Sequence, residues 1–233
     1  CLLHEAQQEG CGPVPWSGPL RPSFIAVGEA PGPEEAKAGA PFVGRAGKLL
    51  RSMMGAAGVD VGDVGFANVV SCYPSKSDGG FRAPSVAETT ACRDNLMAQL
   101  ELAQTQWVLL VGAIALHSFR SDLTITDTHG HVFVWLEKYV VMPILHPSYI
   151  LRRGSHYLKK ETVADLTAWA QMIADGDDPL AHLDETCVKC TQPMLHYDRD
   201  GVGYCAKHWE RWKGQWMKER DRAKEVIEQL SWT

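Results

Sequence analysis

Short apolar runs alternate along this chain with longer segments whose apolar residues recur every three or four positions. The apolar runs predict strands at 24–28, 66–71, 107–112, 131–136 and 139–145. The helical periodicity falls at 45–57, 86–104, 113–120 and about 156–174. Because strands that alternate with helices usually form a sheet covered on both faces, we expect a three-layer α/β/α domain with a mostly parallel central sheet.

The pattern changes at residues 175–186, DGDDPLAHLDET, which are polar and acidic and typical of a linker. We therefore expect a main domain at 1–175, a linker at 176–186, and a small C-terminal module with a long helix at 187–233. The Trp-rich apolar stripe of that helix favours packing on the rest of the protein over a contact with DNA or a partner.

Charge and composition narrow the class of protein. The formal net charge of −5 argues against a protein coated with basic surface, so any nucleic-acid contact must come from local clusters. No apolar run approaches the roughly 18 residues of a membrane span, and no secretion signal is visible. We expect a cytoplasmic protein, and its odd number of cysteines, seven, favours metal binding over a framework of disulfides.

The segment FIAVGEAPGPEEAKAGAPFVGRAGKLL at 24–50 combines a strand, a loop rich in Gly, Pro and carboxylates, and the start of a helix. Open α/β sheets bind ligands at this place, the carboxyl end of a strand. Its glycines allow the backbone to approach a ligand closely. The loop contains neither GxGxxG nor GK[ST], so a dinucleotide or P-loop site is excluded.

Further motifs follow in order: GEAPG at 28–32, PFVGRAG at 41–47, NVVSCYP at 68–74, and HPSYILR at 146–152. With these motifs, residues 1–175 resemble the family 4, iron–sulfur uracil-DNA glycosylases. The resemblance implies a monofunctional enzyme that hydrolyses the glycosidic bond of deoxyuridine in DNA after flipping the base out.

Other activities remain open on the same fold, since fold does not fix function. The substrate could be another deaminated or modified base, or the chain could be a catalytically silent DNA-binding module. A related branch becomes trapped covalently on DNA through a His in an inserted loop. The corresponding stretch here, PSKSDGGFRAPS, contains no His, which argues against that behaviour.

The resemblance assigns a base pocket to three residues. Phe42 stacks on the uracil, Asn68 pairs with O4 and N3–H, and His146 donates to O2, where charge accumulates as the bond breaks. Gly28 and Ala30 supply backbone that borders the substrate.

Two carboxylates are implied as catalytic. Glu29 stabilises the sugar cation or orients water, and Glu35 holds water or crowds the C5 face of the base. Family 1 enzymes carry an Asp where this chain has Ala30, so an Asp-activated water is not available. Glu34 is expected to be a solvated acid in a first helical turn.

Contacts with the DNA backbone are expected after His146. We expect HPSYILRR to continue as a loop that meets the duplex. There Ser148 bonds a phosphate, Leu151 fills the hole left by the flipped base, and Arg152 and Arg153 neutralise phosphates.

The resemblance also implies a [4Fe–4S] cluster held by four thiolates. Cys72 and Cys92 supply two of them, and Cys1 and Cys11 are the N-terminal candidates. The chain lacks the usual CxxC pair there. Either Cys1 and Cys11 complete the set, or Cys1 belongs to a pair whose first member lies upstream and Cys11 is free.

A second metal site is predicted near the C-terminus. Cys187 and Cys190, then Cys205 and His208, form two tight ligand pairs around a hairpin-like stretch with an Asp200–Gly201 turn. This spacing is typical of a structural zinc site.

Overall fold

The computed structural model describes residues 12–136 and 138–176, with the backbone of residues 196–197 and 203–204. The five main strands are β1 (Phe24–Gly28), β2 (Val64–Asn68), β3 (Trp107–Val111), β4 (Val132–Trp135) and β5 (Tyr139–Ile144). Their order across the sheet is β2-β1-β3-β5-β4. β4 pairs antiparallel with β5, whereas the other neighbours are parallel. The predicted α/β fold with a mostly parallel sheet is confirmed.

Seven α-helices connect and flank these strands in the described part of the chain. They are α1 (Pro33–Ala38), α2 (Arg45–Ala56), α3 (Val86–Ala103), α4 (Ala113–Phe119), α5 (Ile125–Thr128), α6 (Pro147–Arg153) and α7 (His156–Asp175). None of these helices is long and apolar enough to cross a membrane.

Side chains on the two faces of the sheet enter two separate apolar cores. In β1, Phe24 and Ala26 pack with the cluster that contains residues of α2 and α7, whereas Ile25 and Val27 pack with residues of α3 and α4. Strand residues alternate between faces, so a fully apolar strand must be covered on both sides. The helices supply that cover and leave the carboxyl ends of the parallel strands open.

The largest differences from the sequence prediction are at the end of β2 and at residues 147–153. β2 ends at Asn68 rather than Ser71 because its partner β1 ends at Gly28, opposite Asn68. The Val69 and Val70 amides still donate to the Gly28 and Glu29 carbonyls at 2.9 and 3.3 Å. Residues 147–153 form helix α6 instead of the expected loop. Proline at the first helical position has no N–H to leave unpaired, so Pro147 starts this helix well.

The sheet continues past β4 through the C-terminal segment. β6 (His196–Tyr197) pairs antiparallel with β4 and with β7 (Gly203–Tyr204), so the predicted hairpin is present in the backbone. The predicted zinc ligands Cys187, Cys190, Cys205 and His208, the linker beyond residue 176 and the C-terminal helix lie outside the described residues. So do Cys1 and Cys11.

Candidate active site

A cavity of about 590 Å³ opens at the carboxyl ends of β1, β2 and β5. This volume lies in the ordinary range for a small-molecule site. The sequence motifs converge here, although they are far apart in the chain. Its lining includes Glu29, Ala30, Glu35, Phe42, Asn68, His146, Ser148 and Arg152.

Gly28 and Asn68 end neighbouring strands and face each other in the register. A Cβ added to Gly28 would lie 2.5 Å from Asn68 Oδ1 and 2.6 Å from the Phe42 ring, so glycine is required for these side chains to meet. Asn68 is 6% exposed, and no residue that the structure describes hydrogen-bonds its carboxamide. Since buried amides normally have partners, this one is available to a ligand in the cavity.

Phe42 lines the cavity in a strained backbone conformation. Its φ of 56° lies in the left-handed region, which costs a bulky residue about 1–3 kcal/mol. Arg51 offsets this cost by donating from Nε to the Phe42 carbonyl at 3.3 Å while its guanidinium covers the Phe66 ring at 3.9 Å. A Cβ on Gly47 would lie 2.1 Å from the same carbonyl, so the absence of a side chain at Gly47 lets the Phe42 backbone pack directly against helix α2.

His146 caps the start of α6, and its ring orientation is fixed by that role. Nδ1 accepts the Ser148 backbone N–H at 3.1 Å. Burial, aided by the nearby Arg152 charge, lowers the pKa of His146 to about 4. The ring is therefore neutral near pH 7, and its proton must reside on Nε2, because Nδ1 is an acceptor. A neutral imidazole in this state offers one N–H donor away from the helix.

Behind His146 the backbone of Gly112 leaves room for the imidazole. Gly112 adopts φ 97°, and an added Cβ would lie 2.8 Å from the His146 Cβ and 3.0 Å from its Cδ2. A side chain at this position would displace the ring. Gly112 was not predicted as a site residue from the sequence, although its position directly after a buried strand was a signal for one.

The two predicted carboxylates have different surroundings. Glu29 is half-buried at the cavity, and burial raises its pKa while the Arg152 charge opposes that rise. Both Glu35 oxygens accept backbone N–H groups, from Gly32 at 3.1 Å and from Gly44 at 2.8 Å. In this arrangement Glu35 positions the loop around α1, and its contact with water or the base stays a prediction. Glu34 is exposed in the first turn of α1, as expected.

Helix α6 carries the residues predicted to contact DNA. Ser148 and Arg152 line the cavity from one face of the helix, and Arg153 places its guanidinium 5.4 Å from the centre of the Tyr149 ring. Leu151 is 41% exposed. These residues therefore lie on a helix, not on the loop expected from the sequence, and of the two cations Arg152 lines the cavity.

Cys72 and Cys92 are free and buried. Burial, and then the neighbouring Cys92 thiol, raise the pKa of Cys72. Two adjacent buried thiolates need a compensating cation, which is the chemistry of a metal-cluster donor set. Within the described ranges no three His, Cys, Asp or Glu side chains group around a metal position.

Comparison with known proteins agrees with this arrangement. A profile of the Uracil DNA glycosylase superfamily matches residues 15–170. The chain is 38% identical to the type-4 uracil-DNA glycosylase of Thermotoga maritima over 64% of this chain and 77% of the relative. It is 35% identical to the Archaeoglobus fulgidus type-4 enzyme over 71% and 82%, respectively. The predicted family is confirmed, and the chain belongs to the uracil-DNA glycosylase superfamily.

Proposed function

We propose that this protein is a uracil-DNA glycosylase, which hydrolyses the bond between uracil and deoxyribose in DNA during base excision repair. The observation that carries the proposal is that one cavity at the sheet edge is lined both by the Asn68 carboxamide, which has no hydrogen-bond partner among the described residues, and by a neutral His146. Similarity to type-4 uracil-DNA glycosylases supports the same activity. A silent module would have no need for these groups in one pocket.

Base recognition falls to Asn68 and Phe42. The carboxamide of Asn68 donates to uracil O4 and accepts from N3–H. Cytosine presents the opposite donors and acceptors at these positions and is rejected. The Phe42 ring, held by its backbone contacts, offers a flat apolar surface on which the base stacks.

His146 acts on the leaving group. As the N1–C1′ bond breaks, its electron pair moves onto the base and charge develops on O2. The neutral Nε2–H donor stabilises that charge through a hydrogen bond to O2. This role suits a histidine whose pKa is about 4.

Glu29 acts on the sugar side. The deoxyribose becomes cationic at C1′, and a carboxylate nearby stabilises that charge or orients the water that adds there. The raised pKa of Glu29 means that its charge is poorly solvated and interacts strongly with a nearby cation. With Ala30 next to it, the chain offers no second carboxylate at that position.

DNA binding is assigned to α6. Arg152 and Arg153 contact phosphates, Ser148 donates to a phosphate oxygen, and Leu151 enters the space vacated by the flipped nucleotide. These contacts are sequence-independent, which suits an enzyme that must find uracil in any context.

Uracil-containing oligonucleotides provide the direct test. Purified protein should leave alkali-labile sites at uracil, and none at thymine, in a panel that also carries hypoxanthine, xanthine and mismatched thymine. Cleavage only at the other bases would point to a different deaminated substrate. No cleavage at any base would contradict the glycosylase assignment.

We also propose a [4Fe–4S] cluster on Cys72 and Cys92, completed by N-terminal cysteines among which Cys1 and Cys11 are candidates. When bound, the cluster would tie the N-terminal segment to the segment after β2 and to helix α3, a structural role. The proposed zinc site on Cys187, Cys190, Cys205 and His208 is separate in sequence.

Metal content should divide between these sites. Protein prepared without oxygen should contain both iron and zinc; Cys72→Ser or Cys92→Ser should remove the iron and spare the zinc. Cys190→Ser should have the reverse effect. Elemental analysis that finds one metal in both sites, or iron retained after loss of Cys72, would contradict the proposal.

A further inference from the structure

Phe81 is an aromatic side chain at the cavity that none of the base-pocket assignments uses. It lines the cavity and is 43% exposed. Phe81 is the one aromatic residue among the large exposed hydrophobic side chains in the described part of the chain, because the others are leucines and a valine. An exposed aromatic ring beside a nucleobase cavity raises the question of what covers it.

The segment from Tyr73 to Ser85 holds Phe81 in a defined position. Phe81 and Ser75 form an antiparallel bridge, and the Lys76 amide donates to the Gly80 carbonyl at 2.7 Å. The Tyr73 hydroxyl donates to the Gly79 carbonyl at 3.0 Å. These bonds close a small hairpin with Phe81 near its end, so little ordering is needed when a ligand arrives.

Arg82 fastens this hairpin to the main domain. Its guanidinium bonds both oxygens of Glu88 at 2.7 and 2.6 Å, and its Nε donates to the Ser75 carbonyl at 3.1 Å. The Arg82 hydrogen bonds lower the pKa of Glu88 to about 2. Glu88 also accepts from the Ser85 amide in the capping box of α3, which ties the hairpin to a long helix.

The ring itself is supported on one side. Its centre lies 6.1 Å from the Tyr73 ring centre, with 36° between the ring planes. Tyr73 is 8% exposed, so it serves as a buried support for the exposed Phe81 ring. A flat ring held in this way presents a surface of the kind on which nucleobases stack.

We propose that Phe81 stacks on the nucleobase that neighbours the flipped nucleotide in the same strand, an inference that rests on the proposed function. A base flanking the flipped uracil loses one stacking neighbour and exposes that face. Phe81 borders the cavity that holds the uracil, so its ring meets the exposed face and replaces the lost neighbour. Stacking of this kind tolerates any base sequence and serves single strands as well as duplexes.

Binding to a single strand with an uncleavable 2′-fluoro-deoxyuridine tests the proposal. Phe81→Ala should weaken affinity about 5- to 150-fold when normal bases flank the analogue, and Phe81→Trp should retain it. With abasic tetrahydrofuran residues on both sides, the parent and Phe81→Ala should bind about equally. Val86→Ala is the matched control: Val86 is 82% exposed at the start of α3 and does not line the cavity.

Two outcomes would overturn the stacking role. One is an equal loss of affinity for Phe81→Ala on normal and abasic-flanked strands, and the other is no loss on either. Uracil excision by the parent is measured in parallel on strands of the same sequence that carry deoxyuridine in place of the uncleavable analogue. Absence of excision would contradict the proposed function, whereas excision without flank-dependent binding would contradict Phe81 stacking alone.

Discussion

Replacement of His146 by alanine should slow uracil excision about 100- to 1000-fold under single-turnover conditions and leave DNA affinity nearly unchanged. The Nε2–H donor acts on charge that appears on O2 only as the glycosidic bond breaks, so its loss affects the chemical step. His117→Ala is the matched control, because His117 is exposed on α4 and does not line the cavity. An unchanged rate with poorer affinity would contradict the role assigned to His146.

The pH dependence gives a second measurement of the same role. The pKa of His146 is lowered to about 4, so the ring stays neutral from about pH 8 down to about pH 5. The rate should therefore show no step near the ordinary histidine pKa of about 6.5.

Glu29 has a raised pKa and takes up its proton at a higher pH than an ordinary carboxyl group. The excision rate of the parent should therefore fall as the pH is lowered and Glu29 becomes protonated. Glu29→Gln should be slower than the parent at every pH and should show a smaller fall in rate at acid pH.

Substitution of Asn68 by aspartate should reduce uracil excision efficiency about 5- to 150-fold, which corresponds to about 1–3 kcal/mol. An ionised carboxylate accepts hydrogen bonds but cannot donate to O4, and it would lie buried beside the base. The comparison is best made as the ratio of kcat/KM between the parent and the variant on one uracil-containing strand.

Asn95→Asp provides the control for added charge. Asn95 lies on α3 outside the cavity, where its amide donates to the Ser71 hydroxyl at 2.7 Å, and an aspartate there can accept from that hydroxyl instead. If Asn95→Asp loses as much activity as Asn68→Asp, the effect is general and the specific pairing with uracil is refuted.

The architecture was predictable because its strands are short apolar runs bounded by turn residues. β1 was assigned with its observed bounds, and β3 and β5 each end one residue before the predicted end. The end of β2 was predicted three residues too late, because Val69 and Val70 are apolar and continue the strand pattern. Their amides donate to the carbonyls at the end of β1 and the start of the loop that follows it. Periodicity records burial, and those two residues are buried outside a strand.

The site was predicted in part for a related reason. Phe42, Asn68 and His146 were assigned through motif resemblance, and the structure brings all three to one cavity. The sequence did not reveal how they are held there. Arg51 reaches Phe42 through a backbone carbonyl, a contact that depends on tertiary geometry. Phe81 was visible as a lone aromatic in a polar loop, but only the fold brings that loop to the cavity.

The close approach of Gly112 to His146 limits how this protein can diverge. Every side chain larger than hydrogen would occupy space that the imidazole already fills, and the backbone there adopts a φ of 97° that other residues rarely tolerate. A random substitution at this position removes the donor without touching the histidine itself. Homologues that keep His146 but carry another residue at 112 should therefore be ones in which selection for this chemistry has relaxed.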